Sequence, residues 1–377
     1  MRILYIANNR IPTEKAHGRQ IVKTIEALAL AGQEVKLLLP GRRNIIEKSL
    51  FDFYGARPVF KVVYAFNFLS WLEKVWPKSY FILQRFFFGI YSFVYGLLTG
   101  ADCIYSREIT VCFFLSFFKK NVVFEDHEPK KSFLWLYRIF IKIIRKKVIV
   151  AKNLSELYKS FGAKEKTFVA VPNGADLNDF KSAIVDKNIW QKEFGLDRSD
   201  KVVLYTGHFY GWKGVYTLIE SALYLNPKIK IVMIGGLPQD QAKMKKFILD
   251  FKLKNVYLHD FIEHSQLIKF IKSADILVLP NTAEEERSAK YTTPIKLFES
   301  LASGVPLIAS DLESFKDYLV NNENAILFQA DNPKNLAEKI NYLAGNREVA
   351  QKIACKALAE ALKYSWEERA KKIINFI

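Results

Sequence analysis

The feature that most limits what this chain can become is a pattern that runs once and then starts again. Short apolar runs alternate with amphipathic stretches: RILYIA, then GRQIVKTIEALALAG, then EVKLLLP, and further on DCIYS, NVVFE, KVIV and TFVAVP. Continuous apolar runs of this length read as strands buried on both faces, and the amphipathic stretches between them read as helices covering those faces. After VPNGADLNDF the series resumes with VVLYT, KIVMIGG, NVYLH, DILVLP and PLIAS. The expected fold is therefore α/β: two Rossmann-like, doubly wound parallel-sheet domains facing across a cleft, binding ligands beyond the carboxyl ends of their strands. A chain of 377 residues is long enough for two separate cores. The expected division is 1–172 and 173–362, with a helix in 363–377 packing back toward the first domain. The stretch from Pro172 to Asp200, polar and irregular, reads as the junction.

Charge narrows the partners. Lys and Arg number 56 against 39 Asp and Glu, a net of +17, which implies a negative partner: nucleic acid, a phosphorylated substrate or anionic lipid. The basic residues are scattered along helical stretches and form no recognition motif, so a nucleic-acid partner is not expected. Cys103, Cys112 and Cys355 have no close spacing, which argues against a disulfide framework or a zinc site and fits a reducing cytoplasm. The opening MRILYIANNR reads as a first buried strand rather than a signal peptide.

Two stretches depart from the background composition. From Phe60 to Gly100 the chain is rich in aromatics with scattered cations, and KKSFLWLYRIFIKIIRKK, from Lys130 to Lys147, repeats that mixture. The uncharged run from Phe86 to Gly100 is shorter than the about 20 residues of a membrane span. Both stretches suit helices on the first domain's sheet, and with the basic charge they point to peripheral contact with an anionic membrane surface.

Four stretches carry chemistry. GHFYGWKG, Gly207 to Gly214, lies between a strand and a helix whose apolar Val215, Leu218, Ile219 and Ala222 share a face. Glycines there let backbone approach a phosphate, and Lys213 adds a positive charge, although the spacing is neither a P-loop nor a dinucleotide fingerprint. KYTTPIKLFESLASGVPLIAS, from Lys290, supplies Thr292 or Thr293 as a helix cap, Pro294 in the first turn, and Lys296 and Glu299 side by side. Glu299 is either half of a surface ion pair or a carboxylate that accepts hydrogen bonds from two neighbouring sugar hydroxyls. NVVFEDHEPKK places Asp126, His127 and Glu128 at a strand end, and YSRE puts Arg107 at the end of the strand before it.

Taken in order, HGRQIVKTIEALALAGQEV, VPNGADLNDF, GHFYGWKG, ADILVLP and PIKLFESLASGVPLIASD resemble the GT-B glycosyltransferases of family GT4 over nearly the whole chain. The resemblance implies a nucleotide-sugar donor held mainly by the second domain, an acceptor held mainly by the first, no cofactor and no essential metal. It implies catalytic roles for His127, Lys213 and His208, with Lys213 on the diphosphate and His208 where many members have arginine. It implies donor contacts at Gly18, in a glycine loop of the first domain, and at Gly207, Tyr291, Thr293, Ile295, Lys296 and Glu299, with Glu299 on the ribose. Tyr291 stands where many members carry a second glutamate, and the acidic Glu284 to Glu286 could reach the sugar instead. Arg107, Asp126 and Glu128 are expected on the acceptor side. The implied activity is sugar transfer with retention, and the basic, aromatic first domain adds the expectation of a peripheral protein on the cytoplasmic face of a membrane, acting on a glycan or lipid-linked acceptor in cell-envelope synthesis. Two rivals are a catalytically silent GT-B scaffold and a nucleic-acid-binding protein.

Overall fold

The computed structural model describes residues 1–67, 72–129 and 133–377. Parts of both aromatic stretches, residues 68–71 and 130–132, lie outside the described residues. The chain divides into two compact units, Met1–Asn173 with Trp366–Ile377, and Gly174–Ser365.

In the first unit seven strands form one parallel sheet: β1 (Arg2–Ile6), β2 (Glu34–Pro40), β3 (Lys61–Ala65), β4 (Cys103–Ser106), β5 (Val122–Asp126), β6 (Lys146–Ile149) and β7 (Phe168–Ala170). Their order is β3-β2-β1-β4-β5-β6-β7, so the winding direction reverses between β1 and β4. Strand β3 was not among the expected runs because it is an edge strand, half exposed, embedded in the aromatic stretch.

Four helices matter in this unit: α1 (Ala16–Leu30), α2 (Pro77–Leu98), α3 (Ile109–Leu115) and α4 (Leu134–Ile143). Right-handed crossovers put α1 on one face of the sheet and α2, α3 and α4 on the other. Helix α1 is buried nearly all round, including its polar Arg19, Gln20, Lys23, Thr24 and Glu26. The C-terminal helix, Trp366–Phe376, packs against it and covers that polar side. Burial is tolerated because the groups are paired: Lys23 Nζ lies 2.9 Å from Glu26 Oε2 and donates to the Gly55 carbonyl at 3.1 Å.

The second unit has six parallel strands: β8 (Lys201–Thr206), β9 (Ile229–Ile234), β10 (Val256–His259), β11 (Ile276–Leu279), β12 (Leu307–Ser310) and β13 (Ile326–Phe328). The order β10-β9-β8-β11-β12-β13 reverses between β8 and β11. Alternate residues feed two cores, Val202, Leu204, Val232 and Ile234 on one face and Val203, Tyr205, Ile231 and Met233 on the other. Strand β13, three residues long, is too short to leave a run in the sequence. Residues after Pro172, expected to be irregular, instead form two short helices, Leu177–Ser182 and Ile189–Phe194. Phe180 and Trp190 anchor them in the core, and the Trp190 Nε1 donates to the Ser273 carbonyl at 2.7 Å.

Candidate functional site

Each unit gathers its candidate residues at the carboxyl ends of its strands, and the two clusters differ in chemistry. In the second unit the cluster forms where β8 and β11 diverge, the switch point of an open sheet. Strand β8 runs into Gly207, whose φ of +116° suits glycine, and whose N–H donates to the Ile234 carbonyl at 2.8 Å. The turn continues through one 3-10 turn, Gly211–Lys213, before helix α5 (Val215–Ser221). That helix is short, so the positive field at the turn comes from side chains. Gly214 has a φ of +67°, and a Cβ there would lie 1.7 Å from the Pro280 carbonyl oxygen. The residue after the lysine is therefore glycine because two backbone segments meet there.

Within the turn, Phe209 points into the core, while His208, Tyr210 and Trp212 stack along its outer side at centroid distances of 5.0 and 6.4 Å. Lys213 is buried, with Nζ 3.8 Å from the Trp212 ring centroid, and the Arg287 guanidinium lies 4.8 Å from the same ring. Burial pushes the Lys213 ammonium well below its usual pKa, and Lys296 and Arg287 push it further. Among the described residues no carboxylate forms an ion pair with Lys213.

Lys296 comes from helix α6 (Ile295–Ala302). Its ammonium donates to the Thr206 carbonyl, lies 4.2 Å from the Tyr205 ring centroid, and would sit 2.7 Å from a Cβ placed on Gly207. Burial lowers its pKa to about 7, partly opposed by Glu299. Glu299, one turn along α6, is buried with Oε1 3.6 Å from His264 Nε2. It is thus an interior group rather than half of a surface ion pair. Thr206, Lys296, Glu299 and Ser300 line one small cavity.

Other candidates fall around this centre. Pro294 itself occupies the N-cap of α6, with no side-chain cap, so neither threonine caps the helix as expected. Thr292 Oγ1 instead donates to the Arg287 carbonyl at 2.8 Å, and Thr293 is buried beside Tyr318. Ile295 is buried at the first position of α6. Tyr291 ends a π-helical turn, Arg287–Tyr291, tied down by Ser288, which donates to the Trp212 carbonyl at 3.2 Å. Glu284, Glu285 and Glu286, immediately before that turn, are exposed. Sequence reading missed Arg287, because only the π-helical turn aims it at Trp212.

In the first unit the cluster follows β5. His127 Nε2 lies 2.6 Å from Glu125 Oε1. Glu125 is fully buried and also accepts from Gln20 Nε2 at 2.6 Å, Arg369 Nη2 at 2.8 Å and the Tyr105 hydroxyl. Burial alone would raise this carboxyl, but Arg369, the His127 hydrogen bond and Arg107 hold it well below the usual carboxylate range. A carboxylate can only accept, so Nε2 carries the His127 hydrogen and Nδ1 is left as an acceptor. Burial and the Arg107 charge lower the His127 pKa to about 4, and the ring is neutral at pH 7. Arg107 reaches the same network through Gln20 Oε1 at 3.2 Å.

Two expectations need correction here. Asp126 does not open toward a ligand: it is buried and accepts from the Tyr137 hydroxyl and from Tyr158 at 2.7 Å, since successive strand side chains face opposite ways. Gly18 belongs not to a loop but to the first turn of α1, where a Cβ would clash with the Tyr54 hydroxyl at 2.1 Å. Glu128 is half-buried, its N–H directed at Asp126 Oδ1 at 3.4 Å. Glu125 and Arg369 were not foreseen; the signal available was a carboxylate inside an otherwise apolar strand, which requires a buried cation somewhere.

Residues 186–359 match the family described as Glycosyl transferases group 1. That span lies within the second unit and covers most of it. Over 233 residues the chain is 26% identical to N,N'-diacetylbacillosaminyl-diphospho-undecaprenol alpha-1,3-N-acetylgalactosaminyltransferase of Campylobacter jejuni, a match covering 61% of this chain. The chain spans 59% of the length of that relative. In fold, the chain is similar to HepE of Anabaena in complex with UDP and glucose, with a TM-score of 0.76 at 17% identity over 100% of this chain and 98% of the other. Sucrose-phosphate synthase of Thermosynechococcus elongatus gives a TM-score of 0.76 at 16% identity, over 99% and 97% of the two chains. The fold is GT-B, built from two Rossmann-like units.

Proposed function

We propose that this chain is a glycosyltransferase that moves a sugar from a nucleoside-diphosphate sugar to a hydroxyl acceptor. The observation that carries the reading is Lys213, a buried amine whose charged form is disfavoured by burial and by two cations beside it, Lys296 and the exposed Arg287. Burying like charges together is unfavourable unless an anion completes the site. A diphosphate supplies that anion, and the missing side chain at Gly207, where a Cβ would sit 2.7 Å from Lys296 Nζ, lets that ammonium lie against the turn. Glu299, a buried carboxylate on the same helix as Lys296, suits the two adjacent hydroxyls of a ribose. The Anabaena protein of the same fold, with UDP and glucose bound, supports a UDP-sugar as the first donor to test.

The chemistry follows from where charge develops. The bond from the anomeric carbon to the phosphate oxygen breaks, and the acceptor oxygen bonds to that carbon on the same face, retaining configuration. The acceptor proton passes to the departing phosphate oxygen, whose growing negative charge Lys213 and Lys296 stabilise. These ammonium groups do the work a divalent ion would otherwise do, which is the basis for reading the transfer as metal-independent. In the first unit His127, neutral and oriented by Glu125, is suited to accept a hydrogen bond from a sugar hydroxyl. The Campylobacter relative's name includes a diphospho-undecaprenol, which favours a lipid-linked glycan as acceptor, in cell-envelope synthesis on the cytoplasmic side of a membrane.

Thermal denaturation with a panel of nucleoside diphosphates and their sugars tests the reading, because a ligand that binds only the folded state raises the melting temperature. We expect at least one nucleoside diphosphate to do so, with the shift lost in Lys213→Ala and reduced in Glu299→Gln. If none of the panel stabilises the native protein, the reading fails.

A further inference from the structure

Helix α2 of the first unit is built inside out. Its inward positions, every fourth residue, are Tyr80, Gln84, Phe88 and Ser92, all buried. Its outward stripe, at the same spacing, is Ile82, Phe86, Ile90, Val94 and Leu98, exposed by 68, 63, 47, 45 and 82%. A helix on a water-soluble surface shows the opposite arrangement, apolar face inward. The inner polar groups are satisfied, Gln84 accepting from Arg42 and Ser92 donating to the Phe88 carbonyl, so the orientation is consistent with its own hydrogen bonding.

The apolar surface continues onto the neighbouring helices. Phe93 of α2 packs on Phe114 and Phe118, and Phe113 of α3 packs on Phe140 of α4, which makes the three helices one layer. Phe117 and Phe118, just past the end of α3, are 61 and 66% exposed, and on α4 Trp135 is 65% exposed. Contiguous apolar exposure of this kind marks a surface that is covered in use. Its charges identify what covers it. None of the three helices contains an acidic residue, whereas Arg85, Arg138 and Lys142 project from them, all exposed. Trp76, immediately before α2, and Trp135 add amphipathic rings of the type enriched at the level of lipid headgroups.

We propose that the outer face of α2, α3 and α4 docks shallowly into an anionic lipid bilayer, with the aromatic stripe among the acyl chains and the cations at the phosphates. Residues Ser79–Leu98 are long and apolar enough to cross a membrane. Their inner stripe is committed to the sheet of the first unit, so the helix lies in the plane of the interface. Long basic side chains can extend from such a helix to the headgroups while their stems stay on apolar surface. The proposal concerns where the protein sits and stands apart from the chemistry proposed above.

The test uses the full chain and vesicles of phosphatidylcholine alone or mixed with phosphatidylglycerol. Sedimentation should carry the protein down with the phosphatidylglycerol vesicles, less so at high salt. Brominated acyl chains should quench tryptophan emission, and the quenching should fall in Trp76→Phe with Trp135→Phe. Phe86→Asp with Ile90→Asp should lower the bound fraction by about tenfold or more, while the thermal shift given by a nucleoside diphosphate stays as in the native protein. That second readout separates failure of this proposal from failure of the proposed transferase activity. A native protein that stays in the supernatant with both vesicles overturns the proposal. So does a dimer, seen by analytical ultracentrifugation, that the double aspartate variant dissociates, because a second copy would then be what covers the face.

Discussion

The two clusters hold buried charge in opposite ways. In the first unit Glu125 is enclosed by Arg369, Gln20, Tyr105 and His127, every oxygen supplied with donors. In the second, Lys213 is enclosed by an aromatic face and two further cations. A closed network is part of the folded state and has its full value without a ligand. An open one costs stability in the free protein and recovers it when an anion arrives, so the same physics makes the carboxylate network of Glu125 structural and the Lys213 cluster receptive.

The contrast predicts opposite signs for similar substitutions. Arg369→Met leaves the Glu125 carboxylate without its cation, and breaking a buried pair in this way costs about 3–5 kcal/mol. Urea denaturation should show that loss, and a variant as stable as the native chain would mean the first cluster is not closed. Lys213→Met removes a buried amine whose charged form the fold disfavours, so the free protein should be as stable as before or more so. Its loss should appear in turnover instead, about 10²- to 10³-fold, corresponding to ~3–4 kcal/mol in the transition state. A variant that keeps its turnover would remove Lys213 from the reaction.

Much of the first half of this comparison was invisible in the sequence. The alternation of apolar runs determines which segments become strands, and it anticipated the parallel order because amphipathic helical stretches join them. Glu125 and Arg369 are 244 residues apart, and nothing local in FED or WEERAKK says they meet. Burial of a carboxylate is a tertiary fact. The glycines of GHFYGWKG could be read as making room, yet what fills the room at Gly214 is the Pro280 carbonyl rather than a ligand. Lys296 and Glu299 were legible as neighbours at helical spacing, whereas the direction of their helix face, inward, depends on β8 lying beneath it.

Smaller effects sharpen the contrast. Gly214→Ala forces a Cβ against the Pro280 carbonyl at a positive φ, which should cost about 1–3 kcal/mol of stability. Its melting temperature should fall in the free protein and with nucleotide alike. Acid titrates the first cluster. The His127 pKa, lowered to about 4 from the ordinary 6.5, favours the folded state above the unfolded value. That contribution is complete above about pH 6.5 and is lost as pH falls toward 4. The slope of stability between those limits should flatten in His127→Gln, and an unchanged slope would assign the acid sensitivity elsewhere. Ligand titrates the second cluster. Lys296, held near a pKa of about 7 in the free protein, should regain its proton beside a diphosphate. Calorimetry at pH 8 in buffers of different ionisation enthalpy should then report uptake of up to about one proton on nucleotide binding. Binding without proton exchange would place the diphosphate away from Lys296.

One feature of the architecture reaches into biosynthesis. The helix Trp366–Phe376 belongs with the first unit but is translated after the whole of Gly174–Ser365. At 5–20 residues per second the ribosome needs roughly 10–40 s to cover that interval. Throughout it the emerging amino-terminal segment has a strand carboxylate with no guanidinium and a polar helix flank with no cover. Closure of the Glu125 network therefore waits for the helix Trp366–Phe376, whereas the second unit, Gly174–Ser365, is continuous in sequence and carries no such dependence.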